Sequence, residues 1–372
     1  MSNTNMDYLY PEFWAQSFDA INPGEYNLQN LVSRNFDAQI ANYGQKINVP
    51  LAVDFGDADA WAPGGSITAT GITQTEAEVA LDKSYRKTIN LTAKDLSMAP
   101  YDLISNYGEG MVKSLLVTLN KQIYIEALKS KYFIDAVAGI SEDLIVSAGT
   151  MLSSNEVSLL NRKCVCGPDV MGALQKIDAF QNVSTSGDAD VMKNGILTKR
   201  FGFDFYMNNA IAKYTPVDVA GSCSSASAGD VEITVSAFND DTMPVRIGDR
   251  LTIADDTAVY TVTSTTLTTG DTTKIGIYPA LSTAISAAKV VTITPAQSAL
   301  CFVPSAMALA ARSYGALPEG VGVRSAVSDY KGLPVRLSVW HDGNLGLQVQ
   351  ADILFGVKLI NDKRMVRIIE DL

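Results

Sequence analysis

Between Thr215 and Ala296 the chain changes character. Of these 82 residues 24 are Ser or Thr, three are aromatic, and none of the stretch has a helical period. Val231 to Phe238, Arg246 to Ile253, Ala258 to Thr266, Lys274 to Tyr278 and Val290 to Thr294 alternate apolar with polar residues and are separated by Gly, Asp and Pro, the pattern of short half-buried strands. Helix and strand patterns mix on both sides of it. The chain must therefore carry a small all-β module of five or six strands inserted into another unit. At 372 residues it is also too long for one ordinary core.

Upstream, Asn27 to Ala41 places Leu28, Leu31, Val32, Phe36 and Ile40 at helical spacing, which predicts a short amphipathic helix in an N-terminal arm. Gln45 to Thr92 turns to strand patterns around a turn-rich stretch holding Trp61, and reads as one long hairpin with little to bury within itself. Pro100 opens a helix to about Ser130 whose stripe runs Ile104, Tyr107, Met111, Leu115, Leu119, Ile123 and Ala127. A helix from Ser141 to Ser153, a strand from Lys163 to Cys166 and a helix from Gly167 to about Ile177 follow. Gln181 to Asn194 is a polar loop, and Gly195 to Asn209 suggests two short strands. After the β module, Leu300 to Arg312 carries strand then helix signals. Leu333 to Ile369 is extended and apolar, with Lys358, Lys363, Arg364 and Arg367 expected on a solvated strand face.

The composition excludes more chemistry than it suggests. A single histidine, His341, leaves no material for a Ser-His-Asp triad or a two-histidine zinc helix, and no phosphate-binding loop or nucleophile elbow is present. Cys164 and Cys166 share one strand face and read as small core residues; the four cysteines suit a reducing compartment. Acidic clusters at Asp54, Asp57 and Asp59, at Asp188 and Asp190, and at Asp255 and Asp256 lack the spacing of a calcium loop. No catalytic residue, cofactor or metal is expected. A net charge of -11 argues against sequence-reading contact with nucleic acid. Met1 to Trp14 has neither a basic residue nor an apolar run, so no secretory leader is expected and the context reads as intracellular.

Taken in order, these parts resemble the major capsid proteins of tailed double-stranded-DNA bacteriophages, an α+β fold of the Hong Kong 97 type. Residues 75–87, Thr-Glu-Ala-Glu-Val-Ala-Leu-Asp-Lys-Ser-Tyr-Arg-Lys, resemble the family's extended loop where it returns to the body, and Ile104 to Leu128 its spine helix. Cys164 to Asp169 with the helix behind it resembles the central strand-to-helix step, Gly202 to Asn209 the strand after the axis-lining loop, and Ala351 to Leu359 the final strand. Ile247 to Ile253 and Tyr278 to Leu281 are similar to the inserted domain of one subgroup of short-tailed-phage coat proteins.

The resemblance implies an N-terminal arm over 1–42, an extended loop (E-loop) over 43–95, and a spine helix with P-domain over 96–135. It implies an A-domain over 136–214 and 297–330, interrupted by an all-β insertion domain over 215–296, and closing strands over 331–372. It implies a non-enzymatic coat protein assembling as pentamers and hexamers into an icosahedral head around double-stranded DNA, built in the host bacterial cytoplasm. Its partners would be further copies of itself, a separate scaffolding protein, a portal protein and, where the head carries one, a decoration protein, with no membrane. Leu31, Phe36, Trp61, Lys83, Arg86 and Lys87 are the expected inter-subunit contacts, and Gln181, Asn182, Asp188, Asp190 and Lys193 the expected lining of the capsomer axis. Three alternatives stay open. An encapsulin-type nanocompartment shell would share the fold but not normally the insertion; a β-module binding protein or adhesin would rest on 215–296 alone; a hydrolase would need the Asp clusters.

Overall fold

The computed structural model describes residues 26–34, 46–51, 76–92, 103–136, 139–181, 199–211, 219–236, 245–267, 272–294, 297–315, 323–330, 333–341 and 346–370, with the single positions 58, 71, 74 and 197. Two five-stranded sheets, a two-stranded pair, a closed barrel, one long helix and several shorter ones make up the described chain.

The long helix α2 (Leu103–Ala127) follows the predicted stripe: Met111, Leu115, Leu119, Ile123 and Ala127 are buried, joined by Val112 and Leu116. Its 25 residues span about 37 Å. The stripe packs on a sheet whose axis is the 13-residue β17 (Leu347–Leu359), paired antiparallel with β3 (Lys83–Leu91), β14 (Met307–Arg312) and β16 (Leu333–His341); β16 in turn pairs with β15 (Val323–Tyr330).

A second, mixed sheet runs in the order β4 (Phe133–Ala136), β18 (Met365–Glu370), β13 (Gln297–Phe302), β5 (Arg162–Cys166), β6 (Phe203–Met207). It is buried on both faces, and strand alternation divides its side chains between two cores. Val165, Leu300, Phe302 and Met365 join the core under α2. Cys164, Cys166, Phe203, Ala299, Cys301, Val366 and Ile368 face α3 (Glu142–Ser154), α4 (Pro168–Gln175) and α5 (Asp178–Gln181). Each large apolar side chain buried this way contributes about 1.5–3 kcal/mol.

Strands β7 (Val219–Cys223), β8 (Glu232–Ser236), β9 (Arg250–Ile253), β10 (Val259–Leu267), β11 (Thr272–Tyr278) and β12 (Lys289–Thr294) close into a six-stranded barrel lying in the chain between β6 and β13. Ile233, Val235, Leu251, Ile253, Tyr260, Val262, Ile275, Ile277, Val291 and Ile293 fill its interior. The Ser/Thr excess has its reason here. β-branched Thr suits a pleated strand, and its hydroxyl suits a wet outer face, so a small barrel needs few large residues beyond its narrow core.

The structure corrects several expectations. In the described part of the expected N-terminal helix, one turn forms, α1 (Leu28–Leu31): Val32 is extended, and the Ser33 amide donates to the carbonyls of Pro304 and Met307 while the Leu309 amide donates to the Ser33 carbonyl, so tertiary pairing replaces the next turn. The long hairpin is not one unit: β1 (Lys46–Pro50) pairs with β2 (Glu76–Ala80), but β3 leaves them to join β17. Met307 to Arg312, Ala-rich and expected helical, is strand β14, because burial between neighbours overrides propensity. Among the described residues before β6 there is no second strand, only a turn closed by Arg200 and Phe203. Ser141 stands at the N-cap of α3 without a side-chain cap hydrogen bond; Glu142 and Asp143 in the first turn favour the helix through its dipole.

Candidate assembly surfaces

The expected contact residues fall in different settings. Phe36 and Trp61 lie outside the described residues, as do Asn182, Asp188, Asp190 and Lys193; Gln181 ends α5. Leu31 was expected at a subunit contact and is instead buried in the chain's own core, since α1 lies against α2. Arg86 and Lys87 are exposed on β3, and Lys83 is half-buried with its ammonium 3.9 Å from Asp82.

The β1–β2 pair is the described base of the expected extended loop. Its inner face, Ile47, Val49 and Val79, packs on Ala308 and Ala310, so it buries more of itself within the chain than its sequence suggests. Its outer face is polar, with Lys46 2.8 Å from Glu78. The close approach that fixes this base requires a glycine: a methyl group on Gly356 of β17 would lie 2.1 Å from the Ala80 carbonyl oxygen. Alongside it, Tyr85 of β3 stacks on Phe355 with ring centroids 5.8 Å apart.

The N-terminal segment is held by a buried amide network that sequence reading missed. Asn120, fully buried in α2, accepts from the Leu28 amide at 3.0 Å and the Asn208 side chain at 2.9 Å, and donates to Gln29 at 2.9 Å and to the Leu116 carbonyl at 2.8 Å. Every polar atom of that side chain is satisfied, the condition under which a buried network specifies one arrangement.

A second missed feature joins the barrel to the body. Arg367, placed by the sequence on a solvated face, has no exposed surface. Its guanidinium donates to the Ser130 carbonyl at 2.9 Å, the Gly248 carbonyl at 3.0 Å and the Thr261 hydroxyl at 2.8 Å, linking β18, the turn after α2, and a turn and strand β10 of the barrel. Burial pushes its pKa down to about 10, opposed by the neighbouring Tyr124 and Asp249. Burial likewise pushes the Tyr124 phenol up to about 12, although its oxygen exchanges hydrogen bonds with the Ser298 backbone. Arg250 of β9 pairs with Asp135 of β4 at 3.2 Å, and Tyr132 meets Tyr278 edge to face. The barrel is therefore seated against the body through several polar and aromatic contacts. The signal in the sequence was a lone Arg inside the apolar run Met365-Val366-Arg367-Ile368-Ile369.

The side chains with the most chemical potential are committed to structure. Cys164 lies 3.6 Å from Cys166 and 3.4 Å from Cys301, and those thiol contacts together with burial push its pKa up, so it is not poised as a nucleophile. Asp256 accepts from the Tyr260 hydroxyl at 2.8 Å and from Ser282, tying one end of the barrel. His341 is exposed at the end of β16. Among the described residues no group of three or more His, Cys, Asp or Glu is placed to hold a metal ion, and no helix is long and apolar enough to cross a membrane.

No protein-family model matches the chain, and no curated protein matches it. Solved structures do. A chain from Mycobacterium phage Che8 matches over 91% of this chain and 89% of its own length, at 15% identity and a TM-score of 0.55. The capsid structure of the cyanophage P-SCSP1u matches over 88% and 84%, at 14% identity and a TM-score of 0.51. The mature capsid of bacteriophage PhiM1 matches over 89% and 83%, at 10% identity and a TM-score of 0.50. At such identities the likeness is one of fold: this chain has the α+β fold of phage capsid structures.

Proposed function

We propose that this chain is the major capsid protein of a tailed double-stranded-DNA phage, of the Hong Kong 97 type, with residues 215–296 as its insertion domain. The observation that carries the reading is a likeness of fold spanning nine-tenths of the chain to a phage protein of matching length. The remaining features are consistent with it. A two-stranded arm base with a polar outer face, β3 edged by Arg86 and Lys87, and an N-terminal segment locked at Asn120 are suited to reaching neighbouring subunits while the body stays rigid. Repeated heterologous contacts of that kind close rings of five and six. A net charge of -11 keeps a DNA-filled container from binding its contents, and the shell encloses DNA without reading it. On this reading Gln181, Asn182, Asp188, Asp190 and Lys193 line the capsomer axis, and scaffolding and portal proteins are separate chains.

The test is velocity sedimentation of the chain expressed alone and with candidate scaffolding proteins from the same genome, followed by negative-stain microscopy of the fast fraction. Closed shells, or rings of five and six, are expected. A uniformly small particle under every condition overturns the reading.

A further inference from the structure

One end of the β13–β18 pair holds polar atoms that bond to nothing. Gln297 and Glu370 stand directly opposite each other in the antiparallel register. Alternation puts them on the face shared by Ala299, Cys301, Val366 and Ile368, which looks onto α3, α4 and α5. Gln297 keeps 3% of its surface exposed and Glu370 6%. Both polar atoms of the Gln297 amide, and Oε2 of Glu370, are shut off from solvent with no hydrogen-bond partner among the described residues. Buried polar groups in folded proteins are nearly always paired, so three such atoms on one residue pair call for an occupant. The Gln297 amide is aimed at the start of α4: a methyl group on Gly167, the N-cap residue, would lie 2.1 Å from its Nε2. Asp169 stands in the first turn of that helix, half-buried. It is near enough to Glu370 to add, after burial, to the rise of that carboxyl's pKa. Two carboxylates and one amide, from segments far apart in the chain, are thus brought together.

We propose that Glu370, Asp169 and Oε1 of Gln297 bind a hard divalent cation, Ca²⁺ or Mg²⁺, between the end of β18 and the start of α4. The donor set selects the ligand. All three groups offer oxygen, which such ions prefer, and none offers sulfur or an imidazole nitrogen. A helix N-terminus alone favours an anion, but two carboxylates already take that field and would repel another. A water molecule could satisfy the amide, yet it would leave burial and the charge of Asp169 both acting against the ionised form of Glu370. A cation offsets both. Asp169, partly open to solvent, gives the ion its way in, and waters complete the coordination shell, as they do where Mg²⁺ is held by one or two carboxylates. The site lies within a single subunit, so the inference does not rest on the shell reading.

The test uses the full, unassembled chain, stripped with EDTA and dialysed into metal-free buffer at pH 7. Equilibrium dialysis against Ca²⁺ and, in a second arm, Mg²⁺ is read together with thermal melting at constant ionic strength. One ion per chain should bind saturably and raise the melting temperature as its free concentration grows, and the arm in which this happens identifies the ion. Gln297→Met removes an oxygen donor and Glu370→Gln a ligand charge. Each should weaken binding at least about tenfold, the lower end of what even outer-shell changes cost at a metal site. Both variants should fold and melt normally in metal-free buffer, because the Gln297 amide and Oε2 of Glu370 have no hydrogen bond to lose among the described residues. Asp143→Asn, which takes an exposed carboxylate from the first turn of α3, should bind as the unaltered chain does. No saturable binding of either ion means that a water or a proton is the only occupant, and overturns the inference. Binding that is unchanged in both site variants, or that falls equally in Asp143→Asn, means that the ions coat the acidic surface, and overturns it too. Neither result touches the shell reading, which assembly tests separately.

Discussion

Replacing Arg367 with alanine should unseat the barrel from the body. The side chain makes three charge-assisted hydrogen bonds, to Ser130, Gly248 and Thr261, at 2.8 to 3.0 Å. Bonds of this kind are each worth about 1.5–3 kcal/mol, so roughly 5–9 kcal/mol is lost on truncation, with a further cost of a few kcal/mol for the cavity. Against this stands the relief of a buried cation. A pKa held down to about 10 from 12.5 corresponds to about 3 kcal/mol of destabilisation of the charged form, which the variant no longer carries. The net loss should be about 4 kcal/mol or more. Arg367→Met fills most of the volume and also sheds the charge, and should lose about 2 kcal/mol, mainly from the acceptors left dry. The assay is urea denaturation of the unassembled chain combined with amide hydrogen exchange, because a chain with several modules need not unfold in one step. Exchange should accelerate first at the barrel amides nearest the junction, such as Gly248 and Val262, ahead of β18. If Arg367→Ala stays within about 1 kcal/mol of the unaltered chain, or if the barrel and body lose protection together to the same extent, the junction does not depend on this guanidinium.

Three further outcomes are expected. Gly356→Ala forces a methyl group into the Ala80 carbonyl, so the β1–β2 base should lift from β17 at a cost of about 2 kcal/mol or more, read as faster exchange of the Ile47 and Val79 amides with β16 unaffected. Asn120→Leu leaves the Leu28 amide and the Gln29 and Asn208 side chains without their partner; a loss of about 2–4 kcal/mol and earlier proteolysis around residues 26–34 should follow, both visible by limited digestion and melting. Burial, and then the charge of Asp169, raise the Glu370 pKa above the ordinary carboxyl range. The stability linked to this raised pKa is present below the unfolded-state value and is lost as pH rises through the folded one, so Glu370→Gln should raise the melting temperature at pH 7 and have no such effect near pH 3.

What the sequence made legible was everything set by periodicity. The α2 stripe from Met111 to Ala127, the shared face of Cys164 and Cys166, the run of strands from Leu333 to Ile369 and the β module all follow from 3.6- and 2-residue repeats that a single core face enforces. Illegible were the features in which a distant partner decides. Strand β3 looks like the return of a hairpin, yet its partner is β17, more than 250 residues away in the chain. Met307 to Arg312 has helix-forming composition and is a strand because both its faces are covered. Arg367 carries a charge, which by itself argues for solvent, and only the carbonyls of Ser130 and Gly248 explain its burial. Leu159 and Leu160 carry no sign of their exposure in the sequence; the turn around them, with Glu156 and Asn161 at positive φ and Arg162 bonded to the Ser158 carbonyl, leaves them outward.

The central claim is that this chain builds a shell, and the most direct measurement is cryo-electron microscopy of the fast-sedimenting particles. The account predicts closed icosahedral shells whose subunit density fits the two sheets, the α2 helix and the seated barrel, with the β1–β2 arm lying over an adjacent subunit. Particles with another subunit fold, or a chain that remains a small soluble species with every candidate scaffold, would contradict it.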